Sequence, residues 1–480
     1  MWLALAIFAV SPAAAEGPAS LQQRVEARLA QAGPGTRFGL VVATEEGREI
    51  VAIAPESRFI PASNTKMFTT AAAYAAIPGV DAPDTAGGAA VRLETGRGAV
   101  PDVVLEGRGD ARLSSRADCV RNCLAALADA VAARARAVGD VIGDDSLFPD
   151  QRWSPGMSWN NIPTRSGTAT SALSLDDNEL HMRVFPAAPG APPRLEPTDY
   201  FEVDNRAMTV AGGTTALEFD RHPGTRLIRL TGTIAAGGEP ELLRFGIDDP
   251  AHYAAWRFKA LLEERGVRVA GGVGVRHRPL RPADDPAVRN GAPPARPPRS
   301  EPLASLTPPP LAADIALTNK VSQNLHAELL LRRVGLRDGT GSIADGLASV
   351  RAMLGQAGVP SAGYSFSDGS GMSTYNRVAP RAMIRFLRWA GGQPWGPAWR
   401  ESLPVGGVDG TLARRFKGSA LERRLFAKTG SLNATSALSG YMIGKSGRTL
   451  IFSAYANDIP EGAAATAAMD AALLMVAEAN

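Results

Sequence analysis

The feature that most constrains this chain is a lysine set in a helix that is apolar nearly all round. Met67, Phe68, Ala71, Ala72, Ala73, Ala75, Ala76 and Ile77 follow Lys66 with the density of a helix buried in a core. Pro61 fixes the backbone just upstream, and Ser63 precedes the lysine by three residues. That spacing puts both side chains one turn apart on one face, about 5–6 Å between Cβ atoms. Burying an ammonium is costly unless it is paired or gives up its proton. A neutral lysine beside a serine hydroxyl is a general base beside a nucleophile. The plain alternative is that Ser63 caps an ordinary helix while Lys66 reaches the surface, because S-x-x-K often arises by chance.

Two further elements bear on that choice. Ser322-Gln323-Asn324 heads a helical run from Asn324 to Arg333, and Lys428-Thr429-Gly430 follows the strand-like Leu425-Phe426-Ala427. Serine-reactive penicillin-recognising enzymes combine S-x-x-K, S-x-N and K-T-G in this order. Each residue type suits a step. Lys66 takes the proton of Ser63, helped by burial and a nearby cationic Lys428. Ser322 relays a proton to a leaving amine, and Asn324 donates to a substrate amide. Lys428 and Thr429 hold a terminal carboxylate, while Gly430 leaves room for a peptide backbone along the strand. The amides of Ser63 and Ser431 then form an oxyanion hole. Ser158-Trp159-Asn160 is a second S-x-N; Ser322 is preferred because it leads a helix and lies about 100 residues before Lys428.

Longer strings accompany the three short ones: Gly143-Asp144-Asp145-Ser146-Leu147-Phe148-Pro149, Ser367-Asp368-Gly369-Ser370-Gly371-Met372-Ser373 with Tyr375-Asn376-Arg377, and the stretch from Leu403 to Leu412. Together they resemble the exported D-alanyl-D-alanine carboxypeptidase/endopeptidases, the class C low-molecular-mass penicillin-binding proteins, over nearly all of the mature chain. The resemblance implies an α+β fold: a catalytic core of antiparallel sheet flanked by helices, with two nested inserted domains, the inner one mainly β. These inserts would fill the gap of about 256 residues between Lys66 and Ser322. The boundaries expected are 1–15 for a signal peptide, 16–84 and 300–480 for the catalytic domain, 85–168 and 247–299 for the outer insert, and 169–246 for the inner. The resemblance also implies a serine peptidase acting on peptidoglycan stem peptides, without a cofactor and with β-lactam antibiotics as covalent inhibitors. One departure stands out. An acidic residue often follows the tryptophan near the end of the outer domain in this family, and here Trp159 is followed by Asn160-Asn161. A β-lactamase is a close rival, but the deacylating glutamate of that class has no counterpart, since Glu328 lies inside a helix and Glu422 on a charged run. A non-catalytic penicillin-binding sensor or wall-binding module is a rival of another kind, opposed by the intact Lys66, Ser322 and Lys428.

Composition sets the remaining bounds. At 480 residues the chain exceeds a single hydrophobic core. Its 45% hydrophobic and 21% charged content is globular, and a net charge of +3 with interleaved signs does not argue for nucleic acid. The apolar run Trp2 to Val10, then Pro12 and Ala13-Ala14-Ala15, reads as a secretory leader, so export to the periplasm is expected, with no Lys or Arg in the n-region. No later segment reaches the roughly 18–20 apolar residues of a membrane span. The two cysteines, Cys119 and Cys123, fall on the apolar face of a helical pattern over 116–138 with Val120, Leu124, Leu127 and Val131. Helical spacing favours two buried thiols over a disulfide. The five histidines are scattered without metal-site spacing. Other helices are expected at 250–265, 311–334, 342–357 and 461–479, a hairpin over 38–43 and 50–53, and final strands over 439–443 and 448–455.

Overall fold

A computed structural model describes residues 19–296 and 300–480; the expected signal peptide at 1–15 lies outside the described residues. Five antiparallel strands form the central sheet in the spatial order Leu425–Leu432, Thr435–Ile443, Thr449–Asn457, Arg37–Thr44, Glu49–Ile53. Both of its faces are covered, so alternate residues serve two separate cores. Leu40, Val42, Leu438, Leu450 and Phe452 pack with Val25, Leu29, Leu473 and Val476 of the helices Leu21–Ala30 and Ala465–Ala479. Val41, Ala43, Ala437, Tyr441 and Tyr455 face the opposite way. They pack against the helices Thr65–Ala76 and Pro380–Gly391, in one core with Asn324–Gly335 and Ile343–Gln356. Every residue from Thr65 to Tyr74 is buried, as the apolar pattern around Lys66 requires.

A second five-stranded sheet runs Val273–Arg278, Val141–Pro149, Asp102–Glu106, Ala90–Glu94, Ala304–Ser305, backed by the helices Leu124–Arg134 and Pro250–Glu264. Short strands from Glu179–Phe185 to Glu241–Gly246 make two smaller sheets, within the range expected to be β-rich. Val184, Ile228 and Phe245 from these strands join Leu105, Leu127 and Phe258 in one continuous core.

Three local expectations give way. The helix over 311–334 is two helices, Leu311–Lys320 and Asn324–Gly335, parted by a turn in which Ser322 takes φ 63°. The last helix begins at Ala465 rather than 461. The helix over 116–138 is only Leu124–Arg134, and Cys119 and Cys123 are joined in a disulfide with Cα atoms 5.8 Å apart. The reason is local. Asn122 adopts φ 62° and Cys123 is extended, so the segment loops back before the helix starts, and Val120 is 90% exposed rather than part of an apolar face.

The helix Asn324–Gly335 is held by ionic contacts to three other segments of the chain. Arg333 pairs with Asp84, and buried His326 lies between Asp314 (Nδ1, 2.5 Å) and Asp177 (Nε2, 2.7 Å). Burial favours the neutral ring, but Asp314 and Asp177 override it and push the His326 pKa up to about 10. A raised folded-state pKa contributes stability that is fully present below the unfolded value of about 6.5 and is lost as pH rises through about 10. His326→Gln should therefore melt well below the wild type at pH 6, and the gap in Tm should close between about pH 7 and 10. Thermal melts at constant ionic strength test this; a gap that does not narrow would show that the ring is not held as imidazolium.

Candidate active site

The turn that carries Ser63 is built by Pro61 and the short 3-10 turn Ala62–Asn64, which runs directly into the helix Thr65–Ala76. Ala62 sits at φ 46°, a region that costs a non-glycine residue free energy and that active sites often retain. Asn64 Nδ2 donates to the Lys428 carbonyl at 2.7 Å, locking the turn to the edge strand Leu425–Leu432. Gly430 lies where this approach is tightest. A Cβ there would be 2.5 Å from the Pro61 carbonyl oxygen and 3.1 Å from Ser63 N. The strand can lie beside the turn only because position 430 has no side chain. Ser431, next along, is exposed.

Lys66 is fully buried, and its Nζ meets three oxygens: Ser63 Oγ at 2.9 Å, Asn324 Oδ1 at 2.7 Å and the Ser370 carbonyl at 2.6 Å. The last two are carbonyl oxygens, which only accept. A neutral lysine has two N–H donors and one lone pair. With both donors taken by Asn324 and Ser370, the lone pair is left for the Ser63 hydroxyl. Burial pushes the Lys66 pKa down to about 7, against the pull of Asp368 and Glu328. A second lysine stands close by. Lys428 Nζ donates to Ser322 Oγ at 2.9 Å and to the Thr429 carbonyl at 3.0 Å. Burial, and then the neighbouring Lys66, push its pKa well below the usual lysine range.

The structure therefore brings Ser63, Lys66, Ser322, Asn324 and Lys428 into one hydrogen-bonded cluster, with Thr429, Gly430 and Ser431 on the strand beside it. Ser158 and Asn160, the other S-x-N pair, bond to each other on the turn Trp159–Asn161, whereas the two lysines contact Ser322 and Asn324. Asn324 Nδ2 donates to the Ser166 carbonyl at 2.9 Å, which fixes Oδ1 toward Lys66.

Sequence reasoning gave no role to the residues that hold this cluster in place. Asp368 accepts from the backbone N–H of Gly371 and Ser373 and from Asn376 Nδ2, at 2.9, 2.6 and 2.6 Å. Glu328 accepts from the N–H of Gly369 and Ser370. The two carboxylates shape the loop that delivers the Ser370 carbonyl. Gly371 takes φ +87°, and a Cβ there would be 1.9 Å from the Ala62 carbonyl oxygen. The stretch from Leu403 to Leu412 reaches Thr429, the neighbour of the other lysine. Asp409 pairs with Lys320 at 2.7 Å and accepts from Val405 N, while the Thr411 hydroxyl accepts from Thr429 Oγ1 at 2.7 Å. The turn-forming run Asp368-Gly369-Ser370-Gly371 was the available signal for the first loop. Glu328, one turn beyond Asn324, was the signal for its clamp.

The D-Ala-D-Ala carboxypeptidase 3 (S13) family model matches residues 21–478. A D-alanyl-D-alanine carboxypeptidase of Actinomadura sp. (strain R39) is 34% identical over 502 residues, covering 99% of this chain and 88% of that protein. The D-alanyl-D-alanine carboxypeptidase DacB of Haemophilus influenzae is 24% identical, covering 89% of this chain and 87% of its own. The crystal structure of penicillin binding protein 4 from Haemophilus influenzae shares the fold, with a TM-score of 0.79 at 22% identity over 94% of this chain and 98% of that one. The same protein complexed with a β-lactam gives a TM-score of 0.74 at 21% identity over the same shares. A family match across residues 21–478, together with a relative 34% identical over 99% of the sequence, shows that the chain belongs to the D-Ala-D-Ala carboxypeptidase 3 (S13) family.

Proposed function

We propose that this protein is a serine D-Ala-D-Ala carboxypeptidase that cleaves peptidoglycan stem peptides through an acyl-enzyme on Ser63, and that β-lactams acylate the same hydroxyl. The observation that carries this reading is the set of partners around Lys66 Nζ, which leaves the lone pair of the neutral amine for Ser63. The terminal carboxylate of the peptide docks at Lys428 and Thr429. The scissile carbonyl lies along the strand at Gly430, with its oxygen toward the N–H groups of Ser63 and Ser431. Ser63 Oγ attacks as its proton passes to Lys66. Lys428 donates to the Ser322 oxygen, so the Ser322 proton is free to reach the departing D-alanine amine. Asn324 faces the substrate amide. Lys66 passes the proton it took from Ser63 on to Ser322, and water then cleaves the ester with the neutral Lys66 again as base. The same acylation applied to a cross-linked dimer gives endopeptidase activity. Glu328 is engaged with backbone N–H groups, which favours a peptidase over a β-lactamase with a carboxylate-activated water.

This reading keeps the catalytic domain at 16–84 and 300–480, the outer insert at 85–168 and 247–299, and the inner insert at 169–246. It also places the protein in the periplasm. The disulfide suits an oxidising compartment, and among the described residues no helix is long and apolar enough to cross a membrane.

Intact-mass measurement after exposure to benzylpenicillin should show one drug adduct, absent in Ser63→Ala, with peptide hydrolysis down by at least about 10³-fold. An adduct that survives the substitution would move the nucleophile elsewhere. Because Lys66 must be neutral to act, the acylation rate should rise with pH through a midpoint near 7. Lys66→Arg should be inactive at every pH, since a guanidinium does not deprotonate. A profile flat from pH 5 to 9 would remove Lys66 as the base.

Lys428 offers a separate test through the substrate. A charge-assisted bond to the terminal carboxylate supplies about 2–4 kcal/mol in the transition state. Lys428→Ala should thus lose about 30- to 1000-fold in kcat/KM on a peptide with a free carboxylate. A C-terminally amidated peptide should be poor for the wild type and little affected by the change. Equal losses on both peptides would refute the carboxylate assignment.

A further inference from the structure

Glu328 stands out among the buried groups that the proposed chemistry does not use. It lies one turn beyond Asn324 on the same helix, only 9% exposed. Its Oε1 takes both the Gly369 and Ser370 N–H groups, at 3.0 and 2.8 Å, while Oε2 has no hydrogen-bond partner among the described residues. A glutamine oxygen would accept the same two bonds without burying a charge. Burial and neighbouring Asp368 push the Glu328 pKa up, so an acid kept here with one oxygen unsatisfied is costlier than the fold needs and calls for an explanation. The loop it grips carries the Ser370 carbonyl on which Lys66 Nζ rests.

We propose that Glu328 is a positioning residue for Lys66: it clamps Gly369 and Ser370 so that the Ser370 carbonyl directs Nζ at Ser63, and it keeps a negative charge beside the resulting ammonium. The inference rests on the serine route proposed above. The ammonium formed when Ser63 gives up its proton is buried, and few groups stand near to offset it. Asp368 on the loop and Glu328 on the helix oppose its desolvation, and Lys428 on the strand has its own pKa lowered by burial and by Lys66. Glu328 in turn is faced by Asp368, by buried Arg332 one turn further along, and by Arg152 from the inserted part of the chain. Arg332 donates to the Gln151 carbonyl and leaves Nη1 unpaired, so it balances Glu328 through space rather than by a bond.

The test is the pH profile of benzylpenicillin acylation, followed by intact mass, in wild type, Glu328→Gln and Glu328→Ala. Glu328→Gln keeps an acceptor for the loop and removes the charge. Its acid limb should move down by about half to one pH unit, because an ammonium without a nearby carboxylate loses its proton more readily. Glu328→Ala removes clamp and charge together, so the same shift should come with a further loss of about ten- to a hundredfold above the limb. A residue that matters only to folding would lower Tm in both variants and leave the limb in place. If Glu328→Gln does not fold, Glu328→Gln/Arg332→Met removes both buried charges and should show a downward shift that is smaller, because the loss of the Arg332 cation offsets part of it. A limb that stays at the wild-type position in a folded variant overturns this inference alone, whereas a wild type that forms no adduct at Ser63 overturns the serine route beneath it.

Discussion

The burial of one ammonium-capable nitrogen, Lys66 Nζ, is the constraint on which the rest of this structure depends. A lysine in water holds its proton until about pH 10.4 and is no base at neutrality. Here it is removed from water by a helix buried along its whole first half, and its pKa falls to about 7. Desolvation alone would serve as well with any orientation of the amine. Orientation comes from Asn324 and Ser370, two acceptors on separate segments of the chain that consume both donors of the neutral amine. Three segments must therefore meet at one atom. The backbone shows the effort at those junctions, with Ala62 and Ser322 both held at positive φ.

The second lysine is governed by the same physics and turned to another use. Lys428 and Lys66 share a buried site, and Lys66 makes the Lys428 ammonium harder to form. In the proposed reaction a carboxylate arriving at Lys428 would change that balance, because it would stabilise the charge on Lys428 while Lys66 reacts in its neutral form. Substrate binding and the readiness of the base would then be linked through one pair of nitrogens. Ser322 lies directly on this link, bonded to Lys428 from the turn that leads into Asn324.

The residues of the cluster were legible in the sequence because each short motif coincides with a strong local pattern: an apolar helix after Lys66, a helix start at Asn324, a strand before Lys428. What failed were places where spacing imitates structure. Cys119, Val120, Cys123 and Leu124 fit a helical face by number, yet an αL residue at Asn122 and an extended Cys123 bring the sulfurs together instead. A continuous apolar pattern likewise hid the break at Ser322, since a single residue at positive φ leaves no mark on periodicity. Asp368 and Glu328 gave weaker signals. Asp368 sits in a turn-forming run and binds N–H groups three and five residues on, whereas Glu328 binds N–H groups some forty residues away, and only the fold shows that both support the same carbonyl.

The long stretch between Lys66 and Ser322 also has a physical relation to the site. The Ser166 carbonyl fixes the amide of Asn324, and Asp177 holds His326 two residues later. The Gln151 carbonyl takes Arg332, while the Pro155 and Gly156 carbonyls hold Ser373 and Thr374 on the loop that carries Ser370. Each contact falls on the helix or the loop that positions Lys66, and each comes from that stretch. A helix that presents Asn324 and Arg332 on one face could not bury them against the central sheet alone, because both donate and need acceptors once they leave water. The Ser166 and Gln151 carbonyls supply those acceptors. The stretch thus holds in place the helix that orients Lys66 Nζ, although none of its residues touches the lysine in the hydrogen-bonded cluster.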